Sequence, residues 1–120
     1  MTRIEHDLIG DRDVPAHALW GIHTLRAVEN FQITGRTIAD TPDLIVALAC
    51  IKQAAAEANA ELGLLDAARR DAIIAACREI RDGQWHDQFV VDPIQGGAGT
   101  STNMNANEVI ANRALEIMGH

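Results

Sequence analysis

Tyrosine is absent from this chain, and two Phe and two Trp are its only aromatic residues. A core with so few rings has to be filled by Ala, Ile, Leu and Val, which suits closely packed helices better than stacked sheets. Basic charge is scarce too: 10 Lys and Arg stand against 17 Asp and Glu, a net charge of −7, and no basic stripe is visible. A nucleic-acid partner is therefore not expected. No apolar run approaches the roughly 20 residues of a membrane span. Met1 leads straight into Arg3, Glu5 and Asp7 with no apolar leader, so a cytoplasmic protein without a membrane partner is expected. Cysteine is limited to Cys50 and Cys77, each in an apolar helix-like segment without a C-x-x-C partner. Two reduced core thiols are the simplest reading, with a disulfide as the alternative. No two of the five His have helical ligand spacing with an acidic partner, so no metal site is expected.

What is present points to a mainly α fold. Hydrophobic residues make up 48% of the chain, enough for a real core at a length of one domain or a piece of a larger one. The first forty residues are irregular: an extended piece over Ile4 to Ile9, an acidic turn at Asp11-Arg12-Asp13, and one or two short helices broken near Gly21. Thr41-Pro42 then reads as an N-cap followed by proline at the first helical position, opening a helix over 42–62. Leu44, Leu48, Ile51, Ala55, Ala58 and Leu62 follow spacings of four and three and predict its buried face. Asp66 caps a second helix over 66–82, with Ile73, Cys77 and Ile80 apolar, antiparallel to the first. The stretch 86–99 is extended or loop, because Val91-Asp92-Pro93 disfavours the αR region. A third long helix runs from about 101 to 118. These Ala-rich stripes have little to pack on within 120 residues, so residues 1–120 are expected to be a fragment of a longer chain.

The chemistry-bearing stretch is Gly96-Gly97-Ala98-Gly99-Thr100-Ser101. Gly97 and Gly99 allow close approach of a ligand to the backbone, and Thr100 and Ser101 stand where a helix leaves its first N–H groups without partners. Those donors, two hydroxyls and the helix dipole favour a carboxylate or phosphate. The loop is neither G-x-x-x-x-G-K-[ST] nor G-x-G-x-x-G after a strand. The plainer reading is a glycine turn with an ordinary N-cap. Against it, Asn103, Asn105 and Asn107 occupy the first helical turns at about half a kcal/mol each relative to Ala. Asn103 and Asn107 share a face, and such a polar cluster is a local inconsistency of the kind functional sites display.

The run GGAGTSTNMNANEVIANRALEIMG, together with HTLRAVENF and DQFVVDPIQGGAGTS, resembles the class II fumarase and aspartate ammonia-lyase branch of the fumarase/aspartase superfamily. Within that branch, Ala98-Gly99-Thr100-Ser101 has the ammonia-lyase form, whereas class II fumarases usually carry Ser-Gly-Thr-Gln there. The resemblance implies an N-terminal lyase domain, L-aspartate and fumarate as substrate and product, a homotetramer, and no cofactor. It implies that Thr100 binds a substrate carboxylate, with Ser101 beside it and Gly97, Gly99 and Asn103 as supports. It also implies that the base is a serine on a G-S-S-x-x-M-P-x-K-x-N loop, a pattern missing from these 120 residues. No catalytic residue is expected in the fragment, and alone it should be inactive. Two other readings stay open: a fumarase-like lyase domain, and a helical interaction module without enzymatic context.

Overall fold

The computed structural model describes all of residues 1–120. Four helices carry the fold behind a short N-terminal hairpin. Strands β1 (Thr2–His6) and β2 (Asp11–Pro15) pair antiparallel, with Ile4 opposite Asp13 and His6 opposite Asp11. The expected acidic turn at 11–13 is therefore strand, and the reversal falls earlier. Asp7 is the cause: its Oδ1 accepts from the N–H groups of Ile9 (2.9 Å) and Gly10 (3.1 Å), closing the turn locally. Arg3 on β1 then orders the segment after β2. Its guanidinium donates to the carbonyls of Pro15, Ala16, Ala18 and Trp20 at 2.7–3.1 Å. The N-terminal region is thus less irregular than its composition suggests.

Helix α1 (Ile22–Asn30) starts directly after Gly21, a single short helix bounded where the break is expected. Helices α2 (Pro42–Glu61) and α3 (Ala67–Arg81) lie within a residue or so of their expected bounds. The Asp66 side chain accepts from the N–H of Arg69 at 2.9 Å, the cap expected of it. Thr41 makes no such side-chain bond, and Pro42 alone marks the start of α2. Arg78 and Arg81 at the end of α3 line one cleft with Val46 and Cys50 from the first half of α2, while Ile73 lies across from Ala56 and Asn59, so the two helices run antiparallel. Helix α4 (Thr100–Ile117) packs on α3 and α1.

The core lies where α2, α3 and α4 meet: Ile45, Ala49, Ala76, Cys77, Ile80, Ala106 and Val109, with Phe89 and Val91 closing one end. The expected buried face of α2 is wrong by one stripe. Ile45, Ala49 and Ala56 are inside, whereas Ile51 is 60% and Leu62 71% exposed. The helix is apolar nearly all round, so periodicity cannot choose its face and packing against α3 does. The same rotation carries Cys50 to the surface, correcting its expected place in the core. Cys77 is fully buried, and loss of hydration pushes its thiol up to about 11.

Candidate functional site

Helix α4 organises everything irregular around it through one polar stripe, Asn105, Glu108 and Asn112, at helical spacing. Asn105 is fully buried; its Oδ1 accepts from the N–H of Val90 at 2.9 Å and its Nδ2 donates to the carbonyl of Gln88 at 3.0 Å. Asn112 donates to the carbonyl of Leu19 at 2.6 Å. The Glu108 carboxylate accepts from the N–H groups of His23 (3.1 Å) and Thr24 (2.9 Å) and from the Thr24 hydroxyl (2.6 Å). These side chains satisfy backbone groups that have no helix or sheet partner. The sequence signal for the stripe was its i, i+3, i+7 spacing, which passes unnoticed when Asn103 and Asn107 are paired instead.

Two carboxylates close the N-terminus of α1, since Glu5 also accepts from the N–H of Ile22 at 2.9 Å. Gly21 makes room for them: a Cβ there would lie 2.5 Å from Glu108 Oε2 and 2.6 Å from Glu5 Oε1. This is a helix end filled by the protein itself.

The N-terminus of α4 is built differently. The approach loop is anchored by Asp92, whose carboxylate accepts from the N–H groups of Ile33, Thr34 and Ile94 and from the Thr34 hydroxyl, at 2.7–3.1 Å. Desolvation raises the Asp92 pKa, but these bonds outweigh it and hold the carboxyl below its usual range. Gln95 spans the loop, donating to the carbonyl of Asp92 at 2.9 Å and accepting from the N–H of Thr102 at 2.8 Å. Gly96 lies on Phe31, where a Cβ would sit 3.2 Å from the ring, close enough that the ring would have to shift by a few tenths of an ångström. Gly97 (φ 72°) and Gly99 (φ 82°) take left-handed conformations, and Gly99 is the N-cap residue.

The result is an open helix mouth. Thr100 is exposed and Ser101 half-buried, and neither hydroxyl nor either N–H has a partner within the chain. No acidic side chain lies in the first turn. Gly97, Gly99, Thr100 and Ser101 therefore come together as one polar edge. Asn103 stands one turn further along, exposed, and accepts from the Lys52 ammonium at 2.5 Å. Asn103 and Asn107 share a face beside Lys52, as expected, while Asn105 does not join them. Asn105 is buried on the other side of the helix, and Asn107 turns to a cleft lined by Lys52, Asn59, Ile73 and Ile110.

The remaining strong charges are internal ties. Arg26 clamps Asp7 with two bonds of 2.7 and 2.9 Å, and that hydrogen-bonding lowers the Asp7 carboxyl to about 2. Arg113 of α4 clamps Glu79 of α3 and lies 5.0 Å over the Trp85 ring, while Trp85 Nε1 donates to Glu79 at 2.7 Å. That network holds Trp85 at φ 65°, a costly backbone conformation for so large a residue. Both tryptophans pack against the core as expected. No group of three His, Cys, Asp or Glu side chains is placed to hold a metal ion, and no helix is long and apolar enough to cross a membrane.

A family model described as lyase matches residues 10–120. The aspartate ammonia-lyase of Pseudomonas aeruginosa is 60% identical over 119 residues, which are 99% of this chain and 25% of that protein. That of Bacillus subtilis is 58% identical, over 98% of this chain and 24% of its own length. Among solved structures, a fumarate lyase:delta crystallin from Brucella melitensis superposes with a TM-score of 0.99 at 57% identity, covering 100% of this chain and 26% of its own. A class II fumarase from Schistosoma mansoni superposes at 0.92 with 38% identity, over 98% and 25%. The chain spans about 25% of the length of the curated relatives it matches.

Proposed function

The chain belongs to the lyase family, in its fumarase/aspartase branch, and from that premise we propose that residues 1–120 are the N-terminal domain of an aspartate ammonia-lyase. The whole enzyme eliminates ammonia from L-aspartate and releases fumarate. The observation that carries this for the site is the open N-terminus of α4, with two N–H donors, two unengaged hydroxyls and no acidic residue in its first turn. Such an edge suits a carboxylate. Ala98 stands where class II fumarases usually place a serine, which favours the amino acid over a hydroxy acid as substrate.

In this reaction a base removes a proton from the carbon next to the β-carboxylate, and the electron pair moves into that carboxylate as an aci-dianion. The C–N bond then breaks, the double bond forms, and ammonia departs. Charge on the carboxylate grows towards the transition state, so donors aimed at it speed the step rather than merely binding substrate. Thr100 supplies the hydroxyl, Ser101 and the two N–H groups stand beside it, and Gly97 and Gly99 let the substrate reach the backbone. Asn103 supports this edge through Lys52. The base comes from the rest of the longer chain, and the working enzyme is a cytoplasmic homotetramer. Light scattering on the full-length protein checks the assembly.

Thr100→Val in the full-length enzyme tests the assignment, since valine keeps the shape and loses the donor. A charge-assisted hydrogen bond contributes about 1.5–3 kcal/mol. The expected fall in kcat/KM is therefore about 10- to 150-fold, mostly in kcat if the bond strengthens in the transition state. Wild-type kinetics towards L-aspartate would overturn the assignment. L-malate serves as the comparison substrate, and turnover of it in preference to L-aspartate would make the enzyme a fumarase. The isolated 120-residue chain is expected to release no fumarate from L-aspartate.

A further inference from the structure

We propose that Gln95 is a positioning residue that sets how many donors the mouth of α4 offers to an anion. This rests on the reading of that mouth as a carboxylate site. The first turn of α4 presents the N–H groups of Thr100, Ser101 and Thr102 without intrahelical partners. Gln95 Oε1 already occupies one of them, Thr102 N–H, at 2.8 Å. Its Nε2 is held by the Asp92 carbonyl at 2.9 Å, so the carboxamide cannot turn round without losing both bonds. Asp92 is in turn fixed by four donors, three of them on or beside the segment Ile33–Thr34. One side chain therefore bridges the start of the glycine loop to the helix it leads into. Between the two anchors only residues 96–101 remain, and of the first-turn N–H groups of α4 only those of Thr100 and Ser101 stay free.

A neutral carboxamide is the chemistry this role needs. It satisfies the Thr102 N–H without bringing a charge to the helix mouth, where an ordinary acidic cap would compete with an incoming carboxylate. Contrast Glu5 and Glu108, which bring two negative charges to the mouth of α1 and leave it closed to anions. Gln95 is thus specified by what it must not be.

The test uses the full-length enzyme with three substitutions. Gln95→Glu keeps the acceptor for Thr102 N–H and adds a negative charge beside the substrate carboxylate. Its KM for L-aspartate, and the inhibition constant of the non-reacting dicarboxylate succinate, should each rise about 10-fold or more, as expected for like charges a few ångströms apart. The midpoint of thermal unfolding should fall slightly, because the bond to the Asp92 carbonyl is lost while an anion at the helix N-terminus offsets part of that loss. A purely structural Gln95 would lower the midpoint and leave both KM and the succinate constant unchanged. Gln95→Met, similar in length and unable to hold either bond, should lower kcat with a smaller change in the succinate constant, because the loop is loosened but not charged. If Gln95→Glu does not assemble, the Met variant decides: wild-type kinetics in folded Gln95→Met would overturn the proposal, as would an unchanged KM in folded Gln95→Glu. Thr100→Val separates the two levels. If it impairs turnover while Gln95→Glu leaves KM and the succinate constant unchanged, only the role of Gln95 falls; if Thr100→Val is silent, the carboxylate site itself falls.

Discussion

Two helices in this molecule begin after a glycine, and their N-termini have opposite fates. At α1, Gly21 admits the carboxylates of Glu5 and Glu108 against the first N–H groups. At α4, Gly99 leads into Thr100 and Ser101, whose donors find nothing within the chain. The physics of the two ends is the same: unpaired N–H groups and the positive end of a helix dipole. One end is closed by side chains that arrive from distant parts of the chain, and the other is kept open by a side chain that brings no charge. A helix N-terminus is therefore informative only once the origin of its partners is known.

The sharpest way to break this comparison is at Gly21. Gly21→Ala puts a methyl within 2.6 Å of both carboxylates, each held by its own bonds. Overpacking of this kind typically costs 1–3 kcal/mol, and displacement of the caps adds to it, so a loss of about 3 kcal/mol is expected in denaturant unfolding of the full-length protein. A neutral effect would mean that the two carboxylates move freely. Glu108→Ala is next. It leaves the buried Thr24 hydroxyl and two N–H groups without partners, at about 2 kcal/mol, with Thr24→Val partly compensating in the double variant. Additive effects of the pair would show that the contact is not formed.

Thr100→Val sharpens the contrast from the other side. It should change stability by less than about 0.5 kcal/mol, as an exposed substitution, while lowering kcat/KM as stated above. Asp66→Ala supplies the ordinary case, a helix end closed by its own N-cap, and should lower stability by about 1 kcal/mol without altering KM. The smallest effect concerns acid. The Asp7 carboxyl is lowered to about 2 from 3.8 by Arg26, so its ion pair stabilises the fold fully above pH 4. That contribution fades as pH falls from about 4 towards 2, when Asp7 takes up its proton. Asp7→Asn should flatten the unfolding midpoint over that window, and an unchanged slope would rule the pair out as its source.

Much of the framework was legible in the chain. Pro42, Asp66 and the glycines that follow each helix marked the bounds of α2 and α3 to within a residue or so. The low aromatic content and the Ala-rich stripes indicated packed helices. The edge formed by Gly97, Gly99, Thr100 and Ser101 was also legible, because loop, helix start and hydroxyls are neighbours in sequence. What was missed is one local turn and one set of long-range contacts. The hairpin depends on Asp7 closing its own turn and on β1 finding β2, and the stripe Asn105, Glu108 and Asn112 has partners 15 to 93 positions away.

By itself the sequence determined where helices start and stop, because caps, prolines and glycines act within a few residues of where they stand. It also determined that the helix at 100 begins with donors and hydroxyls rather than acids. The tertiary structure decided which face of α2 is buried, since an all-apolar helix has no preferred side until α3 covers one. It decided too that the end of α1 is closed and that of α4 open. Glu108 lies 84 positions from Thr24, and only the packing of α4 on α1 brings that carboxylate to the one helix mouth and leaves the other free.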